Sequence, residues 1–161
     1  MAIKKLVRIA LLSAILTVVM LALKPLPNVE LISLLVILYA LLFGKDTFII
    51  VTVFSLVEGL MWGFGLWWIS YLYAWPLLVL AVLLLKKLIK EEFLVWAVVS
   101  GLYGLVFGAL FAIAYLPIDP AYALSYWIAG LPWDVWHAIA NFALMATVGR
   151  RLYRVLKKVR A

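Results

Sequence analysis

From Val29 to Phe43 the chain reads VELISLLVILYALLF, and runs of similar apolarity recur along its length, divided by short polar or glycine–proline breaks. This succession limits the possible folds more than any other feature. Hydrophobic residues make up 70% of the chain and charged residues only 13%, against about 25% charged in a typical soluble domain. Too little polar surface remains to clothe a water-soluble globule, so the chain reads as an integral membrane protein. In lipid every backbone amide must be satisfied internally, which leaves helices or a closed barrel. No run alternates polar and apolar residues with period two, so a barrel is excluded.

A crossing helix needs roughly 17–25 residues. Six segments are read as spans: Lys5–Leu23, Val29–Phe43, Thr47–Phe64, Trp67–Leu85, Phe93–Leu116 and Pro132–Tyr153. The second is short and must sit in thin membrane or partly below the surface. The expected fold is one all-α domain, residues 1–161, a bundle of six transmembrane helices. The basic, long-apolar start reads as a first span and not as a removable signal. The breaks are KPLPN (Lys24–Asn28), GKD (Gly44–Asp46), GFG (Gly63–Gly65), KKLIKEE (Lys86–Glu92) and PIDP (Pro117–Pro120). Ala121–Gly130 is too short to span and reads as a loop or half-helix at the surface.

If both termini lie in the cytoplasm, 14 Lys and Arg residues all fall inside except Lys24. That bias is the positive-inside pattern. The net charge of +7 is therefore a topology signal, and nucleic acid is not an expected partner. With no cysteine, disulfides and thiolate metal sites are excluded. One histidine with scattered carboxylates is no metal signature either, so neither metal nor cofactor is expected.

Of the 8 tryptophans and 8 tyrosines, all but Tyr39, Trp96, Tyr103 and Tyr153 map to the outer half. An interfacial belt would enrich both surfaces; the one-sided set, which includes Trp62, Trp75, Trp133 and Trp136, points to an outward-facing pocket with aromatic walls. Glu58 lies about 6 residues, or roughly 9 Å, below the outer end of its span and shares a helix face with Ser55 and Trp62. A carboxyl at that depth faces a wet cavity or bonds a neighbouring helix. On the sixth span Asp134, His137 and Asn141 form one stripe. Pro132 and Asp134 suit a helix start; His137 and Asn141 read either as ligand contacts or as interhelical packing. The candidate substrate-binding set is Glu58, Trp62, Trp75, Trp133, Trp136, His137 and Asn141. Gly101, Gly104 and Gly108, and likewise Ala10 and Ala14, are small residues spaced for close helix approach. No GxxxxGK[ST] phosphate loop and no nucleophile–base pair is present, so the chain is not expected to be an enzyme.

These features, with the stretches PNVELISLLVILYALLFG, EGLMWGFGLWWISYLYAWPLLVL and WIAGLPWDVWHAIANF, resemble the substrate-binding (S) component of an energy-coupling factor (ECF) transporter, in an uncharacterised bacterial subgroup. The resemblance implies a subunit of the bacterial cell membrane that captures a vitamin or related small heterocycle outside. It also implies a transmembrane coupling subunit, docked at Ala10 and Ala14, and two cytoplasmic ATPases. Thiamin-like or pyrimidine-like compounds suit the aromatic walls. Two other readings stand beside it: an intramembrane enzyme using Asp134 and His137, and a stand-alone transporter coupled to protons through Glu58.

Overall fold

The computed structural model describes residues 3–26 and 29–160. Pro27 and Asn28 of the expected first turn, and the extreme ends of the chain, lie outside them. The described chain is an all-α, multi-pass bundle: α1 (Ile3–Leu23), α2 (Ile32–Phe43), α3 (Asp46–Trp62), α4 (Leu66–Ile89), α5 (Phe93–Ala112, closed by a 3₁₀ turn over Ile113–Tyr115), α6 (Pro120–Leu144) and α7 (Arg150–Arg160). A π-helical turn, Met145–Gly149, joins α6 to α7 without a break. Ile3–Leu23, Leu66–Ile89 and Phe93–Tyr115 are long and apolar enough to cross a membrane. The outside of the bundle is as greasy as its core: Leu60, Leu84, Leu88, Leu94, Leu102 and Ile139 are all exposed. In water such a surface would be a liability. In lipid it is the solvent-matched face.

The bundle has a basic end and an aromatic end. At the basic end Asp46, in the first turn of α3, accepts from Lys5 (2.5 Å) and Arg8 (3.1 Å) of α1. There too Glu91 accepts from Tyr153 (3.0 Å) and Lys157 (3.2 Å), fastening α7 to the α4–α5 turn. These bonds hold the Glu91 carboxyl below its ordinary range. At the aromatic end the α3–α4 turn needs Gly63 at φ +89°, a conformation natural only to glycine.

The expected short second span is α2, and its place differs from both alternatives read from sequence. Twelve residues make about 18 Å of helix, too little for a hydrocarbon core of about 30 Å. The helix offers little surface to lipid, because all its residues except Leu41 and Phe43 are buried. A helix apolar all round belongs inside a protein, and α2 is packed among α3, α4, α5 and α7. Its N-terminus therefore begins deep in the bundle.

The second difference concerns the last helix. Ala121–Gly130 is not a surface loop, and no helix starts at Pro132. Asp119 accepts from the amides of Ala121 (2.9 Å) and Tyr122 (3.1 Å), with Pro120 at the first helical position. This cap-and-proline start outranks Pro132, whose missing amide costs one bond inside a continuing helix. From Pro120 to Arg160 the chain is roughly 60 Å of unbroken helix at about 1.5 Å per residue.

α5 and α6 form the most intimate pair, and three glycines of α5 make the seam. A Cβ on Gly104 would lie 3.0 Å from backbone atoms of His137 and Ala138, and one on Gly101 would lie 3.2 Å from Ala138 O and Phe142 Cβ. At Gly108 it would run into the Asp134 carboxyl. On α6, by contrast, Gly130 has open space around it. Gly104→Ala should lower stability by about 1–3 kcal/mol, because backbone must move, whereas Gly130→Ala should be neutral or stabilising by up to about 1 kcal/mol. Thermal unfolding in detergent reads both; equal effects would show that the seam is loose.

Candidate functional site

Because α2 starts inside the bundle, residues 29–31 that lead into it lie within the bundle as non-helical chain. Non-helical backbone at such depth survives only where it is buried in protein or lines a cavity. Here it does the second. A cavity of about 440 Å³ is walled by the end of α1 (Met20, Leu21, Leu23, Lys24), by Leu26, Val29 and Glu30 of the segment between α1 and α2, by Glu58 and Trp62 of α3, and by Trp67 and Tyr71 of α4. That volume is in the range of small-molecule sites, and so is the composition: apolar and aromatic walls with few polar groups.

Glu30 sets the floor. Its carboxylate accepts from the backbone amides of Ile32 and Ser33 and from the Ser33 hydroxyl. It thereby serves the first orphan amides of α2 and the positive end of that helix. It also meets His137 of α6, whose Nε2 lies 3.2 Å from Oε1; opposite an ionised carboxylate this nitrogen is the donor. The His137 ring is held edge-on by Phe107, with centroids 5.2 Å apart.

Glu58 is fully buried against the cavity, and neither carboxyl oxygen makes a well-formed hydrogen bond among the described residues. Thr17, Trp62 and Lys24 are the polar groups around it, and the Thr17 hydroxyl is also unpartnered. Lys24, the one basic residue away from the basic end among those described, stands over the Trp62 ring, 3.3 Å from its centroid, in a cation–π contact. Tyr71 lies within the field of both Glu30 and Glu58 and stacks on Phe54, with Trp67, Trp75 and Phe111 at its edges. The two carboxyls, one ammonium and three aromatic rings can hold a small flat molecule that donates hydrogen bonds.

Glu58 and Trp62 thus line one cavity. Trp75 stands behind it in the core, against Tyr71, Tyr103 and Phe107. His137 is not among the residues of this cavity and meets it through Glu30. Asn141 is buried with both side-chain polar atoms unpartnered, as are the Tyr103 hydroxyl and the Trp75 Nε1. Trp133 and Trp136 are half exposed on α6 and are not among the residues of this cavity. Asp134, expected near a helix start, is nearly four turns into α6. Ala10 and Ala14 face outward on α1. Among the described residues no three His, Cys, Asp or Glu side chains gather as a metal site.

Glu30 and Lys24 are the site residues that sequence reasoning passes over. Each leaves a signal: Lys24 is the lone exception to the charge pattern, and Glu30 is the only charge within the second apolar run.

Removing His137 should strand a buried carboxylate, so His137→Ala and Glu30→Gln should each cost about 1–3 kcal/mol of stability. In a double-mutant cycle the pair should couple by about 1 kcal/mol, while Glu58→Gln with His137→Ala should add within about 0.5 kcal/mol. Unfolding in detergent measures the cycle, and additivity of the Glu30–His137 pair would remove the link.

No protein-family model, curated protein or solved structure matches the chain.

Proposed function

We propose that the protein is the membrane-embedded substrate-capture subunit of an ATP-driven importer, of the ECF S-component kind, in a bacterial cell membrane. Its substrate is a vitamin or related small heterocycle taken up from outside. The observation that carries this reading is Glu58, a fully buried carboxyl approached by Thr17, Trp62 and Lys24 and set against an aromatic-walled cavity at the aromatic end of the bundle. Keeping an ionisable group there is costly unless it serves a ligand or an ion. In this reading six helices cross, both termini are cytoplasmic, and the chain itself is not catalytic. ATP hydrolysis belongs to two cytoplasmic subunits, joined through a transmembrane coupling subunit. Support for that docking is the outward stripe of Ala10 and Ala14 on α1, flanked by the exposed Val7 and Val18, a surface suited to close helix approach in lipid.

Buried Glu58 equally suits a proton-coupled carrier that works alone, and one experiment separates the two. Native mass spectrometry of the gently purified protein should find a retained small heterocycle together with ATPase and coupling subunits. Glu58→Gln should weaken retention of the small molecule, by about 1–3 kcal/mol, and keep the subunits. Ala10→Trp with Ala14→Trp should do the reverse. Proton-driven uptake by the lone chain would overturn the importer reading.

Orientation is tested separately. The chain has no native cysteine, so single cysteines at Lys4, Gly65 and Lys158 report cleanly. An impermeant thiol reagent on intact cells should label only position 65; labelling of positions 4 and 158 alone would invert the topology.

A further inference from the structure

Asp134 has no part in the cavity just described, and neither helix capping nor ion pairing accounts for it. The start of α6 is already capped by Asp119, so Asp134 is not a helix-start residue. Among the described residues it has no ion-pair partner: His137, whose charge bears on it, is committed to Glu30 at 3.2 Å. Its carboxyl is nonetheless seated with care. Oδ1 accepts from the Gly108 amide at 3.0 Å, and only a glycine at 108 leaves room for it. The residue is 5% exposed, and Oδ2 is buried without a partner.

Asp134 is among the residues that line a second cavity, about 610 Å³, in the groove between α5 and the upper half of α6. Its walls are aromatic: Phe107 and Phe111 from α5, and Tyr122, Tyr126 and Trp133 from α6. Along α6 Tyr122, Tyr126 and Asp134 fall on one i, i+4 row, and Trp133 flanks it on the exposed side. Tyr122 and Tyr126 are fixed by Tyr115, with ring centroids 5.2 and 4.9 Å away. No lysine or arginine among the described residues lines the groove, and it shares no lining residue with the first cavity. Phe111 of one meets Tyr71 of the other at 5.8 Å, so two rings stand between them.

A carboxylate and the faces of aromatic rings both attract cations and repel anions. The free Oδ2 is an acceptor, so the cation that satisfies it carries an N–H. We propose that this groove is a second binding site, selective for an organic ammonium ion that donates to Asp134 while its carbon body lies against the rings of Tyr122, Tyr126 and Phe111. The ammonium group can come from a free amine or from an aminophospholipid headgroup, since Tyr122 and Trp133 are exposed at the groove's edge. The proposal stands on Asp134 and does not depend on the importer reading.

The test uses the full chain in detergent, with 2-phenylethylamine, its N,N,N-trimethyl analogue and phenylacetate as calorimetric probes. The amine should bind, the trimethyl analogue more weakly and phenylacetate not at all. Asp134→Asn keeps an acceptor for Gly108 and should weaken amine binding about tenfold or more. Glu58→Gln should leave it within about twofold. Should Asp134→Asn fail to fold, Tyr126→Ala should also weaken the amine, by removing one wall. In nanodiscs holding equal phosphatidylcholine and phosphatidylethanolamine, native mass spectrometry reads the other source. Asp134-dependent retention of phosphatidylethanolamine, without binding of the free amine, would support a lipid ammonium. Four results would overturn the site: equal amine affinity in wild type and Asp134→Asn, loss of binding on Glu58→Gln instead, phenylacetate binding as tightly as the amine, or no Asp134-dependent binding of either amine or lipid.

Discussion

A twelve-residue helix inside a membrane protein has ends that lipid would not tolerate, and the arrangement around α2 follows from that. Its flanks are clothed by other helices, so its apolar surface never needs to match the bilayer. Its first amides are taken by Glu30. A carboxylate in that position needs a second source of compensation, and His137 of α6 supplies it. The non-helical residues Val29 and Glu30 ahead of it line a cavity. One short helix thus accounts for the cavity, for the depth of Glu30 and for the contact between the two halves of the bundle.

The rest of the polar interior divides by how completely it is satisfied. Asp46 and Glu91 at the basic end are paired with cations and tie helix ends together. Glu30 is bonded to the start of α2 and to His137, and it serves both as structure and as the cavity's floor. Glu58 and Asp134 are less completely bonded: each retains buried oxygen without a well-formed hydrogen bond, and each borders an aromatic-walled space of its own. In a low-dielectric interior such groups are expensive, so these two carboxyls mark two places where the fold gives up stability.

Much of this is legible from residue patterns, and the parts that are not share a cause. The three long apolar helices α1, α4 and α5 follow directly from their uninterrupted runs. The glycines at 101, 104 and 108 announce close packing, and α6 is what they pack against. The start of α6 is misplaced from sequence because Pro132 resembles a first-turn proline, while the stronger signal, Asp119 followed by Pro120, reads as a break. That error carries Asp134 with it, turning a mid-helix carboxyl into a capping residue. Glu58 and Trp62 stand out by depth and spacing on one helix, which sequence can report. The partner of His137 does not, since Glu30 lies 107 residues away and only the burial of α2 brings the two together.

The unbroken helix from Pro120 to Arg160 has a mechanical corollary. A stiff rod carries Tyr122 and Tyr126 towards one end of the bundle and the arginines and lysines of α7 at the other. The glycine seam against α5 lies between them and acts as a fulcrum. A tilt of about 5° about the middle of a rod roughly 60 Å long swings each tip by about 2–3 Å, in opposite directions. Whatever displaces the aromatic end therefore moves the basic end as well, by leverage alone.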